Sequence, residues 1–133
     1  MTQIDVKTAR ANELVDITSR IQKAIDGEGG FRDGVVLIFC PHTTAGITIN
    51  ENADPDVPAD ILMKSAKLIE RKDPDFRHAE GNSDGHLKSS LFGASESVIV
   101  EDGRLVLGTW QGIFFAEFDG PRSRKVILKF IPC

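Results

Sequence analysis

Two stretches of nearly uninterrupted apolar residues constrain most strongly what this chain can fold into. Residues 35–39 read Val-Val-Leu-Ile-Phe, a β-branched run typical of a strand that is covered on both faces. Residues 113–118 are apolar on both alternating faces, whereas an antiparallel sheet normally leaves one face in water. A second layer of the same chain or a neighbouring subunit would cover the extra face, and the sequence leaves both open.

The spacing of apolar residues elsewhere predicts further strands and two helices. Ile4 and Val6 alternate with polar residues as in a half-buried strand. Asn12 is placed to cap a first helix, whose apolar residues are Leu14, Ile17, Ile21 and Ile25. A second helix begins at residues 54–58, where acids and prolines suit a first turn, and its predicted buried face consists of Ile61, Leu62, Ser65, Leu68 and Ile69.

The rest of the chain is predicted to be mostly β. A short third helix runs from Ser83 or Asp84 to Leu91, and the remaining strands are residues 47–50, 97–101, 104–107, 113–118 and 125–131. This order of elements predicts the α+β class, with a mostly antiparallel sheet and helices packed on one face.

Length and charge narrow the class of protein. A chain of 133 residues predicts a single domain spanning residues 1–133, long enough for a core. The formal net charge of −4 gives no general attraction to nucleic acid or anionic lipid. The first residues lack the pattern of a signal peptide, and no apolar run approaches the roughly 20 residues of a membrane span. We therefore expect a cytoplasmic protein that binds neither nucleic acid nor membranes.

The three histidines are the main indication of a functional site. His42 lies in a Pro-His-Thr-Thr-Ala-Gly segment, and His78 and His86 bound a polar loop. Neutral imidazole is the commonest protein ligand for transition metals and titrates near pH 7. Three imidazoles with an open fourth position form a catalytic zinc pattern, so the three are predicted metal ligands and catalytic residues if the fold brings them together.

Acidic residues near the histidines supply the other groups that such a site needs. Glu51, Glu80 and Asp84 are candidates for further ligands, for residues that orient a ligand, or for a general base. Cys40 ends an apolar run, so a buried structural thiol is expected, although its spacing from His42 leaves a ligand or thiolate role open.

Residues 82–90 resemble a loop that leads into a helix N-terminus, where free N–H groups bind anions. Lys88, Arg122 and Arg124 would add positive charge, and arginine can hold a phosphate through two parallel bonds. The alternative is that Ser83 and Asp84 only cap the helix while the basic residues face solvent.

A third polar segment contains the only tryptophan of the chain. Trp110 is followed by Gln111 and flanked by Gly108 and Gly112, which allow a close approach of the backbone. An aromatic wall beside an amide suits a flat heterocycle, although a lone tryptophan is more often part of a core.

Taken together, these segments resemble the YjbQ family, whose members are described as secondary thiamine-phosphate synthases. The resemblance covers essentially the whole chain and is carried by His42-Thr43-Thr44-Ala45, Asn50-Glu51, His78 with Asn82, His86-Leu87, Leu91-Phe92-Gly93, Gly108-Thr109-Trp110-Gln111 and Arg122. It implies a double-split β-α-β fold and a homotrimer with sites near subunit boundaries.

The implied reaction condenses hydroxymethylpyrimidine diphosphate with thiazole phosphate and releases pyrophosphate. The resemblance implies substrate-binding roles for Thr43, Thr44, Asn50, Asn82, Lys88, Trp110, Gln111 and Arg122, and catalytic roles for His42, Glu51, His78, Asp84 and His86. Many relatives carry a further histidine where this chain has Asp84. A carboxylate at this position would make the site better suited to a hard metal ion. We therefore expect a divalent metal, Zn²⁺ or Mg²⁺, and a small phosphorylated substrate.

Two other functions remain open at this point. One is a metal-dependent hydrolase of a small molecule, in which Glu51 or Asp84 would act as base for a metal-bound water. The other is a module without enzymatic activity that binds a phosphorylated metabolite or a metal.

Overall fold

Strands and helices alternate in the first half of the chain, and strands dominate the second half. The computed structural model describes residues 1–133. Its strands are β1 (Thr2–Lys7), β2 (Glu13–Asp16), β3 (Gly34–Phe39), β4 (Ala45–Glu51), β5 (Ser95–Glu101), β6 (Arg104–Leu105), β7 (Gln111–Glu117) and β8 (Ser123–Pro132). Its helices are α1 (Thr18–Asp26), α2 (Asp56–Leu68) and α3 (Ser83–Phe92).

The strands form two sheets. The larger has the order β1-β8-β3-β5-β6 and the smaller has the order β2-β7-β4. Every strand pair in both sheets is antiparallel. The predicted α+β class with antiparallel pairing is therefore confirmed, and the strands divide between two sheets where the sequence suggested one.

Helix α1 fills the space between the two sheets. Its Ile21 and Ile25 join one apolar core with Ile38 of β3 and with Ile113 and Phe115 of β7. The helix contacts β1 and β6, the two edge strands of the larger sheet, so that sheet curls around it. Burial of the apolar side chains in this core is the main contribution to stability.

The apolar segment at residues 113–118 is buried within a single chain. Strand β7 is the central strand of the smaller sheet, and all its residues from Gly112 onward are buried. One face meets the core, while Gly46 and Ala116, which are paired across β4 and β7, lie on the other face. An added Cβ on Gly46 would lie 2.6 Å from the carbonyl oxygen of Gly93, so the C-terminal end of α3 approaches this outer face closely. Two layers of the same chain therefore cover the strand.

The predicted first helix is shorter than its apolar spacing suggested. Residues 13–16 form β2, and Leu14 pairs with Ala116 of β7. The helix begins at Thr18, whose amide and hydroxyl both donate to Asp16 Oδ1, at 2.9 and 2.6 Å. The predicted capping role of Asn12 is wrong, because the residue lies before β2. Leu14 and Ile17 fit both a short strand and a helix, and such short apolar runs do not distinguish the two.

Helix α2 is where predicted, but its predicted face is only partly covered. Four of the five residues are half-buried, while Leu68 is 73 % exposed. The helix packs against β2 and β4, the two edge strands of the small sheet, and these provide too little surface to cover it completely. None of the three helices has the length and apolar character needed to cross a membrane.

Candidate functional site

The three histidines line one pocket of about 440 Å³, so the predicted convergence occurs. His42 lies in the connection between β3 and β4, His78 in the connection between α2 and α3, and His86 at the end of the first turn of α3. The rings of His78 and His86 meet edge to face with their centroids 5.3 Å apart. The predicted residues Thr43, Thr44, Asn82 and Arg122 line the same pocket. We call it the histidine pocket.

His42 is held in one orientation and in one tautomer. Its Nε2 accepts a hydrogen bond of 2.9 Å from the backbone amide of Lys125, so the neutral ring carries its proton on Nδ1. Burial and the nearby charge of Arg124 both lower the pKa of His42 below its ordinary value of 6.5. His42 is therefore a neutral hydrogen-bond donor near pH 7.

Beside His42, a buried ion pair forms part of the pocket wall. Arg124 Nε donates to Glu117 Oε1 at 2.9 Å, and Nη2 contacts both Glu117 Oε2 and, at 2.9 Å, the hydroxyl of Thr44. Thr8 donates a further hydrogen bond of 2.8 Å to Glu117 Oε1. Arg124 is 6 % exposed and Glu117 is fully buried. Burial alone would raise the pKa of Glu117, but hydrogen bonds from Arg124, the Asp119 amide and Thr8 outweigh it and lower the pKa.

Arg122 forms a second, more open guanidinium at the pocket. Its Nη2 lies 2.9 Å from Asp119 Oδ2, its Nε donates to the Asp119 carbonyl at 2.7 Å, and its side chain is 53 % exposed. Asn82 Nδ2 donates to the same Asp119 oxygen at 2.9 Å. Burial raises the pKa of Asp119, but hydrogen bonds from Asn82 and Arg122 outweigh it, and the pKa is lowered. Asp119 thus remains a carboxylate that orients both side chains.

Two predicted site residues lie behind the pocket wall. Asp84 and Lys88 are 1 % and 2 % exposed, and their charged atoms lie 3.5 Å apart. Lys88 Nζ is also 3.3 Å from Asn12 Oδ1 and 5.8 Å from the centre of the Phe118 ring. The pair anchors α3 to the body of the protein, since neither side chain lines the histidine pocket. One oxygen of Asp84, Oδ1, has no hydrogen-bond partner.

Four other predicted residues lie at the opposite end of β4 and β7, which we call the far end: Asn50, Glu51, Trp110 and Gln111. Strand β4 starts at the histidine pocket and ends at Glu51, about 20 Å away at the usual rise of a strand. Their side-chain hydrogen bonds are local, such as Gly108 N to Gln111 Oε1 at 2.8 Å and Asp54 N to Glu51 Oε2 at 3.2 Å. Trp110 is 62 % exposed. A single chain does not bring the far end to the histidines.

The positions of the possible ligand atoms limit how the predicted metal could be bound. No three histidine, cysteine, aspartate or glutamate side chains lie close enough together to hold one ion. Nε2 of His42 accepts from the Lys125 amide and Nδ1 carries the proton, so neither ring nitrogen of His42 is free to ligate a metal. The nearest approach to a ligand set is His78 with His86, where Glu80 Oε1 lies 3.7 Å from His78 Nε2. The arrangement in one chain therefore offers two imidazoles, and a complete set would need donors from elsewhere.

Cys40 belongs to the core and does not line the histidine pocket. Its side chain is 1 % exposed and packs within the main apolar cluster. Burial is the largest influence on its thiol, and it raises the pKa. A raised pKa disfavours the reactive thiolate, which supports the structural interpretation.

The residues that hold the site in place were not predicted from the sequence. Glu117 and Asp119 were not singled out, although both fix an arginine of the pocket. A charge inside the otherwise apolar segment at residues 113–118 was the available indication. A buried carboxylate needs a partner, and Arg124 was already a candidate from its charge.

Comparisons with known proteins agree over the whole chain. Residues 2–133 match the family described as UPF0047 protein YjbQ-like. The UPF0047 protein MJ1081 of Methanocaldococcus jannaschii is 57 % identical over 126 residues, which cover 95 % of this chain and 90 % of that protein. The UPF0047 protein YugU of Bacillus subtilis is 52 % identical over 128 residues, which cover 96 % of each.

Solved structures of this family superpose on nearly the entire fold. An uncharacterized conserved protein of the YjbQ/UPF0047 family from Clostridium acetobutylicum has a TM-score of 0.94 and 53 % identity, and the match covers 98 % of this chain and 100 % of that one. The conserved hypothetical protein TT1486 from Thermus thermophilus has a TM-score of 0.92 and 43 % identity, with coverages of 98 % and 100 %. The chain belongs to the YjbQ-like UPF0047 family.

Proposed function

We propose that this protein is an enzyme that acts on small phosphorylated substrates in the histidine pocket, and that it forms thiamine phosphate. One observation carries the proposal: three imidazoles and two guanidiniums line a single pocket. Guanidinium groups suit phosphate oxygens, and imidazoles near neutral pH transfer protons. The particular reaction comes from the family resemblance.

In the proposed reaction, a carbon–oxygen bond breaks and a carbon–nitrogen bond forms. The ring nitrogen of thiazole phosphate attacks the methylene carbon of hydroxymethylpyrimidine diphosphate, and pyrophosphate leaves with the electron pair of the broken bond. Arg124 and Arg122 would hold the phosphate oxygens. Because Glu117 already fixes the Arg124 side chain, that side chain would lose little conformational entropy when the substrate binds.

The three histidines have different roles in this proposal. His42 would donate a hydrogen bond from Nδ1 to a phosphate oxygen, because its Nε2 is already engaged. His86 or His78, which lie in contact, would protonate the departing pyrophosphate. Thr43, Thr44 and Asn82 complete the polar lining.

A divalent metal, Zn²⁺ or Mg²⁺, is part of the proposal. When the ion is bound, His78 and His86 would hold it together with phosphate oxygens of the substrate, and the ion would take over from their protons in neutralising charge on the leaving pyrophosphate. The test is elemental analysis of purified wild-type protein beside His86→Ala. A near-stoichiometric transition metal that is lost in the variant supports a histidine-bound ion, whereas its absence from both proteins contradicts a resident Zn²⁺.

We further propose a homotrimer located in the cytoplasm. The outward face of the larger sheet carries an apolar patch in which Phe39, Ile99 and Ile131 are 40 %, 59 % and 44 % exposed. Val35 pairs with both Ile99 and Ile131, so these side chains share one face. Contiguous exposed apolar surface of this kind is typical of a subunit interface. In the trimer, the far end of one copy would reach the histidine pocket of another.

The synthase activity is tested by supplying both phosphorylated substrates with Mg²⁺ and measuring thiamine phosphate and pyrophosphate. We expect equimolar products from the wild type and none from His86→Ala, which should keep its stability because His86 is only partly buried. Failure of the wild type to form thiamine phosphate would contradict the proposed reaction.

Subunit mixing tests whether the site is shared. His86→Ala and Glu51→Gln would each be inactive, but mixed trimers would contain some sites with both wild-type residues. We expect activity to return on mixing and light scattering to give a trimer. Full activity of Glu51→Gln alone would exclude the far end from the site.

A metal-dependent hydrolase is the second candidate, favoured by the contact between His78 and His86 with Glu80 beside them. It would consume one substrate alone and lose activity on chelation. A binding module, in contrast, would show ligand-induced thermal stabilisation without turnover.

A further inference from the structure

A second cavity adjoins the histidine pocket on the other side of His78. It has a volume of about 460 Å³ and is formed by the connection between α2 and α3 together with the first residue of α3. Arg71, Lys72, Phe76 and Gly81 line it, and His78 lines both this cavity and the histidine pocket. The two spaces therefore share His78 in their walls. We call the second space the loop cavity.

The loop cavity has an excess of positive charge. Arg71 and Lys72 line it, and neither takes part in an ion pair of the structure. The one carboxylate in the lining, Asp73, accepts a hydrogen bond of 2.9 Å from the Asp75 amide, which fixes it within its own turn. Two cations without carboxylate partners beside a catalytic candidate are chemically suited to an anionic group.

The charge of Arg71 also reaches the histidine pocket. While burial raises the pKa of Asp119, Arg71 is among the neighbours that lower it. Asp119 orients Arg122 and Asn82 in that pocket. Arg71 is therefore near enough to act on a ligand that extends from one space into the other.

We propose that the loop cavity is a second anionic subsite, which binds a phosphate monoester group while the reacting part of the ligand lies against His78 and His86. This inference rests on the proposed function and makes it more specific. The proposed reaction joins two separately phosphorylated molecules, so the site must hold two anionic groups apart. Arg122 and Arg124 would bind one, and Arg71 and Lys72 would bind the other.

Phe76 gives the loop cavity a second property. Its ring is partly buried in the lining, so the cavity has an apolar wall beside its two cations. A flat heterocycle that carries a phosphate matches this combination, since the ring packs on the aromatic face and the phosphate meets the cations. The subsite would thus bind inorganic phosphate through its cations and a phosphorylated heterocycle more tightly still.

The experiment is a titration of the full chain with inorganic phosphate, observed through backbone amide resonances. The amide of Gly81 reports on the loop cavity, and that of Thr43 reports on the histidine pocket. In the wild type we expect both amides to shift. In Arg71→Ala/Lys72→Ala, the Gly81 response should weaken by about tenfold or more, while the Thr43 response is kept. Both substituted side chains are exposed, so folding should be unaffected.

Lys64→Ala/Lys67→Ala is the matched control, because it removes two exposed charges from α2 outside the cavity. A Gly81 response that is absent from the wild type, or that survives in Arg71→Ala/Lys72→Ala, would overturn the subsite. Turnover separates this from the proposed function. A failed subsite leaves the KM of Arg71→Ala/Lys72→Ala unchanged in an active enzyme, whereas a failed function leaves phosphate binding at Gly81 intact without any product.

Discussion

The two ends of the small sheet carry polar residues in very different ways. At the histidine end, Glu117 and Arg124 are buried and bonded to Thr8 and Thr44, which lie far away in the sequence. At the far end, Gln111 bonds to the backbone three residues before it, and Glu51 to the backbone three residues after it. Charged groups that depend on several distant segments are positioned by the whole fold, whereas local bonds only shape a turn. The side chains of the histidine end are therefore positioned by long-range bonds, whereas Gln111 and Glu51 at the far end are held by local ones.

The largest expected contrast is in stability. Arg124→Met leaves Glu117 buried without its cation, and we expect a loss of about 3–5 kcal/mol in the free energy of unfolding. Gln111→Ala at the far end should change it by less than about 0.5 kcal/mol. Urea denaturation measures both. The double variant Arg124→Met/Glu117→Leu should recover much of the loss, since no unpaired charge remains. Equal losses of stability in Arg124→Met and Gln111→Ala would contradict the difference between the two ends.

A smaller contrast is expected in ligand affinity. Arg122→Ala removes an exposed guanidinium from the pocket, and pyrophosphate affinity should weaken by about 1.5–3 kcal/mol with little change in stability. Calorimetric titration of the wild type and the variant measures this difference. An unchanged affinity would remove Arg122 from the phosphate site.

The pH dependence of stability tests how much Asp119 contributes at the histidine end. Asp119 has a lowered pKa in the folded protein, so its contribution is present above its ordinary pKa of 3.8 and is lost as pH falls through the lowered value. Unfolding free energy measured from pH 6 downward should therefore fall less steeply in Asp119→Asn than in the wild type. Parallel acid limbs would show that Asp119 gains nothing from Asn82 and Arg122.

The smallest effect concerns His42. Because burial and Arg124 lower its pKa, His42 should titrate below 6.5 and remain neutral at pH 7. Nitrogen resonances of the ring should show the proton on Nδ1, as the Lys125 hydrogen bond requires. A ring that is protonated at pH 7, or that carries its proton on Nε2, would contradict the role assigned to His42.

The fold class was predictable because apolar spacing reports burial, and burial determines most of the elements. The strand at residues 13–16 was not, since Leu14 and Val15 also fit the start of a helix, and only the pairing with β7 decides between them. The division into two sheets depends on long-range pairing, which local patterns do not encode.

For the site, the types of residue indicated which side chains take part, but the sequence did not show where each of them lies in the fold. Histidines in polar segments indicated the pocket correctly, although His86 lies in α3 and only His42 and His78 lie in connections between elements. Lys88 was predicted to bind a substrate phosphate, yet it is buried against Asp84 and Phe118. Asn50, Glu51 and Gln111 matched the family pattern, but the fold places them about 20 Å from the histidines along β4 and β7.

If the three histidines form one anion-binding site, their ring resonances should respond together in a pyrophosphate titration. We expect His42, His78 and His86 all to shift with a single shared dissociation constant, and Arg122→Ala to weaken all three responses. Rings that respond with different constants, or a His42 resonance that does not move while the others do, would contradict a single shared site.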